Sequence, residues 1–167
     1  MDNKNNSTAP GSKGVIEKDN VTVRFSGDSG DGMQLAGNIF STVSAIVGND
    51  ICTFPNYPAD IRAPQGTRSG VSAFTPGDMC DVLVAMNAAA LATQYKFCKP
   101  TAAIITDSDS FKESDLKKAG YSTLDPVKEL GIKNEIVSVP ITTMVKDCLS
   151  ESGMDNKAIL KSRNMFA

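Results

Sequence analysis

Three glycines punctuate the segment Arg24-Phe25-Ser26-Gly27-Asp28-Ser29-Gly30-Asp31-Gly32-Met33-Gln34-Leu35-Ala36-Gly37. The β-branched run Val21-Thr22-Val23 before it predicts a strand, and apolar residues recur after it at helical spacing, at Leu35, Ile39, Val43 and Ile46. The glycines therefore lie in a strand-to-helix turn, where free N–H groups at a helix start can point at negative charge. Their order, G-x-x-G-x-G, is the reverse of the dinucleotide-binding order, and no Walker lysine follows. Ligand contact and tight packing both call for glycine, so the loop alone does not separate the two.

Bulk composition narrows the function classes. A chain of 167 residues that is 41% hydrophobic fits a single globular domain. Its net charge of −2 and its lack of Trp indicate no nucleic-acid or anionic-membrane partner. The chain contains no His, which excludes a Ser-His-Asp triad, a Cys-His dyad and a His-ligated metal within it.

The four cysteines are far apart in sequence, at Cys52, Cys80, Cys98 and Cys148. No C-x-x-C pair occurs, and the spacing does not resemble an iron–sulfur or zinc site. We therefore expect buried, reduced thiols in a cytoplasmic protein. There is no apolar run of about 18 residues that would span a membrane, and the N-terminal residues lack the apolar core of a signal peptide.

Alternation of strands and helices predicts a three-layer α/β domain with a mostly parallel sheet. Residues 1–20 are polar and are expected to form a loose tail, and residues 21–167 the folded domain. A helix is predicted over Met33–Val47, with one broad apolar face formed by Leu35, Ala36, Ile39, Phe40, Val43 and Ile46. The candidate antiparallel strand is Val71–Phe74. Further elements are predicted as buried strands at Asp81–Met86, Ala102–Thr106 and Asn134–Pro140, and as helices at Ala88–Phe97 (capped by Asn87 and stopped by Pro100), Phe111–Gly120, Ile141–Ser150 and Asn156–Phe166.

A long irregular connection is predicted at Pro55–Gly70, after a short strand at Asp50–Phe54. Connections of this length inside a domain are usually functional. Arg62 and Arg68 could pair with a carboxylate or phosphate, or with acidic groups on the protein surface. The acidic turn Asp107–Ser110 also ends a predicted strand, but Asp and Ser favour turns and helix caps, which is the reading we prefer there.

Two signatures stand together in this chain, Arg24–Gly32 and Phe54–Ser72. Their order and separation resemble the gamma domain of the 2-oxoacid:ferredoxin oxidoreductases, in the form found at the N-terminus of the alpha subunit of the 2-oxoglutarate type. The resemblance covers about Val21–Phe166. It implies a Rossmann-like domain truncated from a longer alpha subunit, which agrees with a chain that stops inside a helical pattern.

The resemblance also implies a division of labour. Thiamine diphosphate and an iron–sulfur cluster perform the chemistry elsewhere in the complex, coenzyme A accepts the acyl group, and this piece alone binds no cofactor and is inactive. The implied partners are the rest of the alpha subunit, the beta subunit and ferredoxin. Both irregular connections would lie at one rim of the sheet and cover the reaction site. The residues implied to contact cofactor are Gly27, Ser29, Gly30, Gly32, Arg62, Thr67 and Arg68, with no catalytic and no metal-binding residue.

One departure from the family pattern bears on these residues. Many members have G-x-G-G-Q-G in this loop, whereas Asp28 and Asp31 are acidic here. Acids oppose phosphate binding, so they are better suited to capping the helix after Gly32, and Arg62 and Arg68 are the preferred anion contacts. Two alternatives remain open, a stand-alone nucleotide-binding Rossmann-like module and a purely structural subunit-interaction domain.

Overall fold

The computed structural model of the chain describes residue 18 and residues 20–27, 32–56, 65–70 and 79–165. Within these ranges six strands form one sheet, and six helices connect or cover them. In chain order the elements are β1 (Val23–Gly27), α1 (Met33–Ile46), β2 (Cys52–Asn56), β3 (Gln65–Gly70), β4 (Cys80–Ala85), α2 (Ala88–Gln94), β5 (Cys98–Asp107), α3 (Glu113–Lys118), α4 (Pro126–Glu129), β6 (Glu135–Val139), α5 (Ile141–Leu149) and α6 (Asn156–Lys161).

The sheet has the order β2-β3-β1-β4-β5-β6. β1, β4, β5 and β6 run parallel to one another, while β3 is antiparallel to both β1 and β2. This confirms the predicted α/β class with a mostly parallel sheet. The antiparallel strand within the described residues is β3; the candidate Val71–Phe74 lies outside them.

Helices pack on both faces of the sheet, which gives the three layers that the alternation predicts. One cluster joins alternate residues of β1 and β4 to α1, α5 and α6, through Val23, Phe25, Met33, Val84, Ile141, Val145 and Ile159. A second cluster on the other face joins the remaining positions of β4 and β5 to α2, through Leu83, Ala85, Ala90, Leu91 and Ile104. Because successive residues of a strand point to opposite faces, β4 is buried on both sides and is apolar almost throughout.

The predicted apolar face of α1 is only partly a core face. Its buried residues are Met33, Ala36 and Gly37, whereas Leu35, Val43 and Ile46 are 49%, 54% and 80% exposed in this chain. Two of the buried residues are small, so the start of α1 approaches the sheet closely. The predicted helix is thus confirmed, but the apolar side chains of Leu35, Val43 and Ile46 remain largely exposed in this chain.

The predicted irregular connection contains parts of two strands. β2 continues through Pro55 to Asn56, and β3 begins at Gln65 and pairs along its length with β1. Proline is tolerated in β2 because β2 is an edge strand among the described residues, with a strand partner on one side only. Backbone pairing with β1, rather than an apolar alternation, makes Gln65–Gly70 a strand.

Two smaller boundaries also differ from the prediction. α2 ends at Gln94 and continues as a 3-10 turn at Tyr95–Phe97, so the α-helix is shorter than Ala88–Phe97. Pro100 does not stop a helix but lies inside β5, where the pairing with β4 is irregular. Bulged or irregular pairing is a position at which a strand accommodates proline.

A buried aspartate lies at the edge of the sheet where the parallel strand β4 begins. Asp81 of β4 is 7% exposed, receives the Nζ groups of Lys18 and Lys99 at 2.9 and 2.7 Å, and accepts the backbone N–H of Thr22 at 3.1 Å. Burial alone would raise its pKa, but the hydrogen bonds from Lys99 and Lys18 outweigh burial and lower the pKa to about 2. Asp81 therefore remains ionised and holds Lys18 and Thr22 against β4.

Candidate functional site

The carboxyl ends of the four parallel strands lie at one edge of the sheet, which we call the carboxyl edge. β1 ends there at Gly27, β4 at Ala85, β5 at Asp107 and β6 at Val139. In open sheets of this kind, ligands bind outside this edge, at the point where neighbouring strands lead to opposite sides. Here that point lies between β1 and β4, because the chain continues from β1 toward β2 and from β4 toward β5.

Three strand ends next to the two segments singled out in the sequence lie at the carboxyl edge. Gln65, the first residue of β3, pairs with Gly27, the last residue of β1. Asn56, the last residue of β2, pairs with Gly66. Gly27, Asn56 and Gln65 are therefore neighbours at this edge, while residues 28–31 and 57–64 lie outside the described residues. β3 then runs to the opposite edge, where Gly70 pairs with Cys52, so the predicted connection Pro55–Gly70 does not lie wholly at one rim.

Gly32 completes the predicted strand-to-helix turn. Its φ of 69° and ψ of 23° place it in the left-handed region immediately before α1. Its carbonyl accepts the N–H of Ala36 at 3.0 Å, which makes Gly32 the residue that begins the helix. A side chain is unfavourable at this φ, so the backbone geometry itself requires a glycine here.

Two polar residues of β1 are buried just before this turn. Arg24 is 1% exposed; its Nη1 donates to Oε1 of Gln94 at 2.9 Å, and its guanidinium lies 4.3 Å from the ring centroid of Phe97. Ser26 is fully buried, and its Oγ has no hydrogen-bond partner among the described residues. Arg24 belongs to the glycine signature, and nothing in that motif indicates an arginine that is buried against Gln94 and Phe97.

Asp107 organises the carboxyl edge after β5. It is fully buried and accepts the N–H of Asp109, the Oγ–H of Ser110, the N–H of Ile141 and the Oγ1–H of Thr142, at 2.9 to 3.2 Å. Asp109 in turn accepts the N–H and Oγ1–H of Thr143 at 2.7 and 3.1 Å. These contacts join the turn after β5 to the start of α5, which confirms the preferred interpretation of the acids as turn and cap residues.

A cavity of about 410 Å³ opens at this edge, between the start of α2 and the turn after β5. Asn87 lines it and, as predicted, caps α2: its Oδ1 accepts the N–H of Ala90 at 2.8 Å. Charged side chains of both signs share the lining, among them Asp109, Lys112, Lys118 and Arg163. The cationic residues were not predicted from the sequence, because they belong to no motif. They come together only because α3 and the segment after α6 meet here.

The predicted cofactor contacts separate into three groups. Gly27 and Gly32 lie at the carboxyl edge. Thr67 and Arg68 lie inside β3, paired with Phe25 and Arg24, so their backbone is set back from the edge. Ser29, Gly30 and Arg62 lie outside the described residues, as do Asp28 and Asp31.

A cluster of metal ligands and a membrane-spanning helix are both absent from the part of the chain that the structure describes. Among those residues no three His, Cys, Asp or Glu side chains come together as metal ligands. No helix in the same ranges combines the length and apolar character that crossing a bilayer requires. The cysteines are reduced; Cys80 and Cys98 are buried as expected, whereas Cys52 is half-buried and Cys148 is exposed.

The sequence matches a known protein family along most of its length. The family described as "Pyruvate ferredoxin/flavodoxin oxidoreductase" matches residues 22–161. The 2-oxoglutarate oxidoreductase subunit KorA of Mycobacterium tuberculosis (strain ATCC 25618 / H37Rv) is 42% identical over 160 residues. That alignment covers 89% of this chain and 24% of the relative, so the chain spans about a quarter of the relative's length.

Solved structures share the fold at lower identity. The gamma subunit of a keto/oxoacid ferredoxin oxidoreductase from Geobacter sulfurreducens PCA is 18% identical with a TM-score of 0.60, covering 87% of this chain and 71% of that one. A 2-oxoglutarate:ferredoxin oxidoreductase from Magnetococcus marinus, with 2-oxoglutarate, coenzyme A and succinyl-CoA bound, is 22% identical with a TM-score of 0.63. The match covers 89% of this chain and 23% of that one.

Proposed function

Since the chain belongs to the pyruvate ferredoxin/flavodoxin oxidoreductase family, we propose that it serves a 2-oxoacid:ferredoxin oxidoreductase as a non-catalytic gamma-type domain. In this role it covers the site where thiamine diphosphate reacts and helps to place coenzyme A during oxidative decarboxylation. The preferred 2-oxoacid is 2-oxoglutarate, which KorA and the Magnetococcus marinus enzyme are named for.

One observation carries the proposal. Gly27 and Gly32, the strand ends Asn56 and Gln65, and the 410 Å³ cavity all lie at the carboxyl edge of the sheet. A domain with these features at one edge can lay that edge over a neighbouring domain while its core stays intact. The carboxyl edge is thus the surface that would face the reaction.

The described residues fit a covering role better than a cofactor-holding one. An iron–sulfur cluster needs cysteine thiolates that converge, and no such group occurs in the described ranges. We therefore assign no iron–sulfur cluster to these residues. Coenzyme A enters as a substrate, and its phosphates require cationic or N–H donors.

We assign those donors to the glycine turn and to the two arginines of the second signature. Gly27, Ser29, Gly30 and Gly32 would present backbone N–H groups, and Arg62, Thr67 and Arg68 would contact the phosphates of coenzyme A or the carboxylate of the 2-oxoacid. The placement of Arg68 within β3 makes Arg62 the stronger candidate, because Arg62 comes between Asn56 and Gln65 in the sequence and both of these residues lie at the carboxyl edge.

The test uses the complete oxidoreductase that contains this domain. We would measure ferredoxin reduction that depends on both 2-oxoglutarate and coenzyme A for Arg62→Ala and Arg68→Ala. Loss of one charge-assisted contact costs about 1.5–3 kcal/mol, so KM for coenzyme A or 2-oxoglutarate should rise about tenfold or more. Lys133→Ala is the control, because Lys133 is exposed and precedes β6 at the opposite edge. If both arginine variants match the control, the anion assignment fails.

A nucleotide-binding module is the second candidate, favoured by a glycine turn at the point where β1 and β4 lead to opposite sides. Calorimetry of the 167-residue chain with NAD, FAD, ATP and coenzyme A separates the two. Micromolar binding of NAD or FAD by the chain alone would favour the module over the covering domain. A purely structural interaction domain would leave KM for both substrates unchanged in every variant above.

A further inference from the structure

Two cysteines that are distant in sequence face each other in the sheet. Cys80 begins β4, Cys98 begins β5, and the two are direct partners in the parallel pairing of these strands. Their Sγ atoms are 3.7 Å apart and share a hydrogen bond. Neighbouring strands lie about 4.8 Å apart, within the Cα separation of about 4.4–6.8 Å that disulfides span. The backbone therefore already holds the pair at a distance suited to a covalent link.

The surroundings favour ionisation of one sulfur. The hydrogen bond between Cys80 and Cys98 lowers the pKa of Cys80 and outweighs the opposing effect of burial, and the nearby Arg24 guanidinium lowers it further, while Asp81 acts in the opposite direction. The same hydrogen bond and burial raise the pKa of Cys98. Cys80 is thus the sulfur that loses its proton first, with Cys98 poised to react second.

Access to the pair is narrow. Cys80 is fully buried, and Cys98 is 8% exposed. At this burial an oxidant reaches the sulfurs only when the strands open locally, and a smaller oxidant needs a smaller opening. A peroxide is therefore better suited to this pair than a bulky disulfide such as oxidised glutathione.

We propose that Cys80 and Cys98 are a dithiol that peroxides convert reversibly into a disulfide between β4 and β5. In the first step the Cys80 thiolate attacks one peroxide oxygen, the O–O bond breaks, and a sulfenic acid forms while the second oxygen leaves as hydroxide. In the second step Cys98 attacks the Cys80 sulfur, the S–O bond breaks, and a second hydroxide leaves. Together the two sulfurs lose two electrons and two protons, and the peroxide becomes two molecules of water.

The bond would close a ring that contains β4, α2 and the turn after α2. That ring includes Asn87, which caps α2 and lines the cavity at the carboxyl edge. Oxidation would thus link β4, which leads into α2 beside the cavity, covalently to β5. The proposal itself depends only on the geometry of the two cysteines, not on the proposed function.

The experiment uses the full 167-residue chain with Cys52→Ser and Cys148→Ser, so that the pair supplies the only thiols. The folded protein is treated with hydrogen peroxide, denatured in acid, alkylated and analysed by mass spectrometry. We expect a monomer that has lost the mass of two hydrogen atoms, resists alkylation, and yields one linked peptide containing Cys80 and Cys98. Dithiothreitol should restore two alkylatable thiols.

Two comparisons make the result decisive. Adding Cys98→Ser to this background should remove the link and leave Cys80 to gain oxygen instead. In the unsubstituted chain, which tests the result free of any folding defect, the same peptide should appear, with no link from Cys80 to Cys52 or Cys148. The proposal is overturned if both thiols stay alkylatable while Cys148 oxidises, or if the link forms only in urea.

Discussion

Replacing Asp81 with Asn tests whether the buried charge at the start of β4 stabilises the fold. The pKa of Asp81 is lowered from 3.8 to about 2 by hydrogen bonds from Lys99 and Lys18 that outweigh burial. At about 1.4 kcal/mol per pKa unit this corresponds to about 2.5 kcal/mol. Because the two lysine side chains are 41% and 38% exposed, solvent screens the pair, and we expect a loss of about 1–2 kcal/mol in the free energy of unfolding.

The pH dependence gives the prediction its sign. The folded pKa lies below the unfolded one, so the stabilisation is complete above pH about 4 and is lost as the pH falls toward about 2. Urea denaturation at pH 7 and at several values down to pH 3 should show the difference between Asp81→Asn and the parent shrinking with acidity.

Glu113→Gln is the matched control. Glu113 accepts a hydrogen bond from Lys117 one helical turn away, but both side chains are mostly exposed, so the change should cost less than about 0.5 kcal/mol. Two results would refute the reasoning. One is an Asp81→Asn variant as stable as the control, and the other is a destabilisation that is equal at pH 7 and pH 3, which would indicate lost packing rather than lost charge.

Three further substitutions probe the core and the carboxyl edge, each by urea denaturation. Leu83→Ala opens a void in a fully buried position of β4 and should cost about 2–5 kcal/mol; a loss below 1 kcal/mol would mean that the second core cluster collapses around it. Asp107→Ala leaves the buried N–H of Ile141 without its acceptor and should cost about 1–3 kcal/mol, whereas no loss would show that the turn after β5 is not held by this carboxylate. Gly32→Ala forces a side chain into φ of 69° and should cost about 1–2 kcal/mol, compared with Ser41→Ala in the middle of α1, where a small effect is expected.

The parts of the fold that could be predicted are those set by local chemistry. The continuous apolar run in β4 and the capping residue Asn87 each depend on a few neighbouring residues, and both were located correctly. Asp107 likewise acts on groups whose type the sequence reveals, namely N–H and hydroxyl donors at a turn and a helix start.

The remaining features depend on partners distant in sequence. Gln65–Gly70 has no apolar alternation, and it is a strand because β1 and β2 both pair with it. Arg24 is buried because its guanidinium contacts Gln94, at the end of α2, and Phe97, in the turn that follows α2. The contact between Cys80 and Cys98 follows from strand register, which no spacing rule reveals. The same distinction applies to the site. Its glycines form a motif that the sequence reveals, whereas the charged residues that line the cavity form none.

The position of β1 at the centre of the sheet has a consequence for biosynthesis. β1 is made first, yet both strands that flank it, β3 and β4, come from residues 65–70 and 80–85. Until the ribosome has delivered Ala85, a strand destined for complete burial keeps at least one open edge, which is a template for pairing with other nascent chains. Fragments that stop before Ala85 should therefore aggregate, whereas those that extend beyond it can close the sheet around β1.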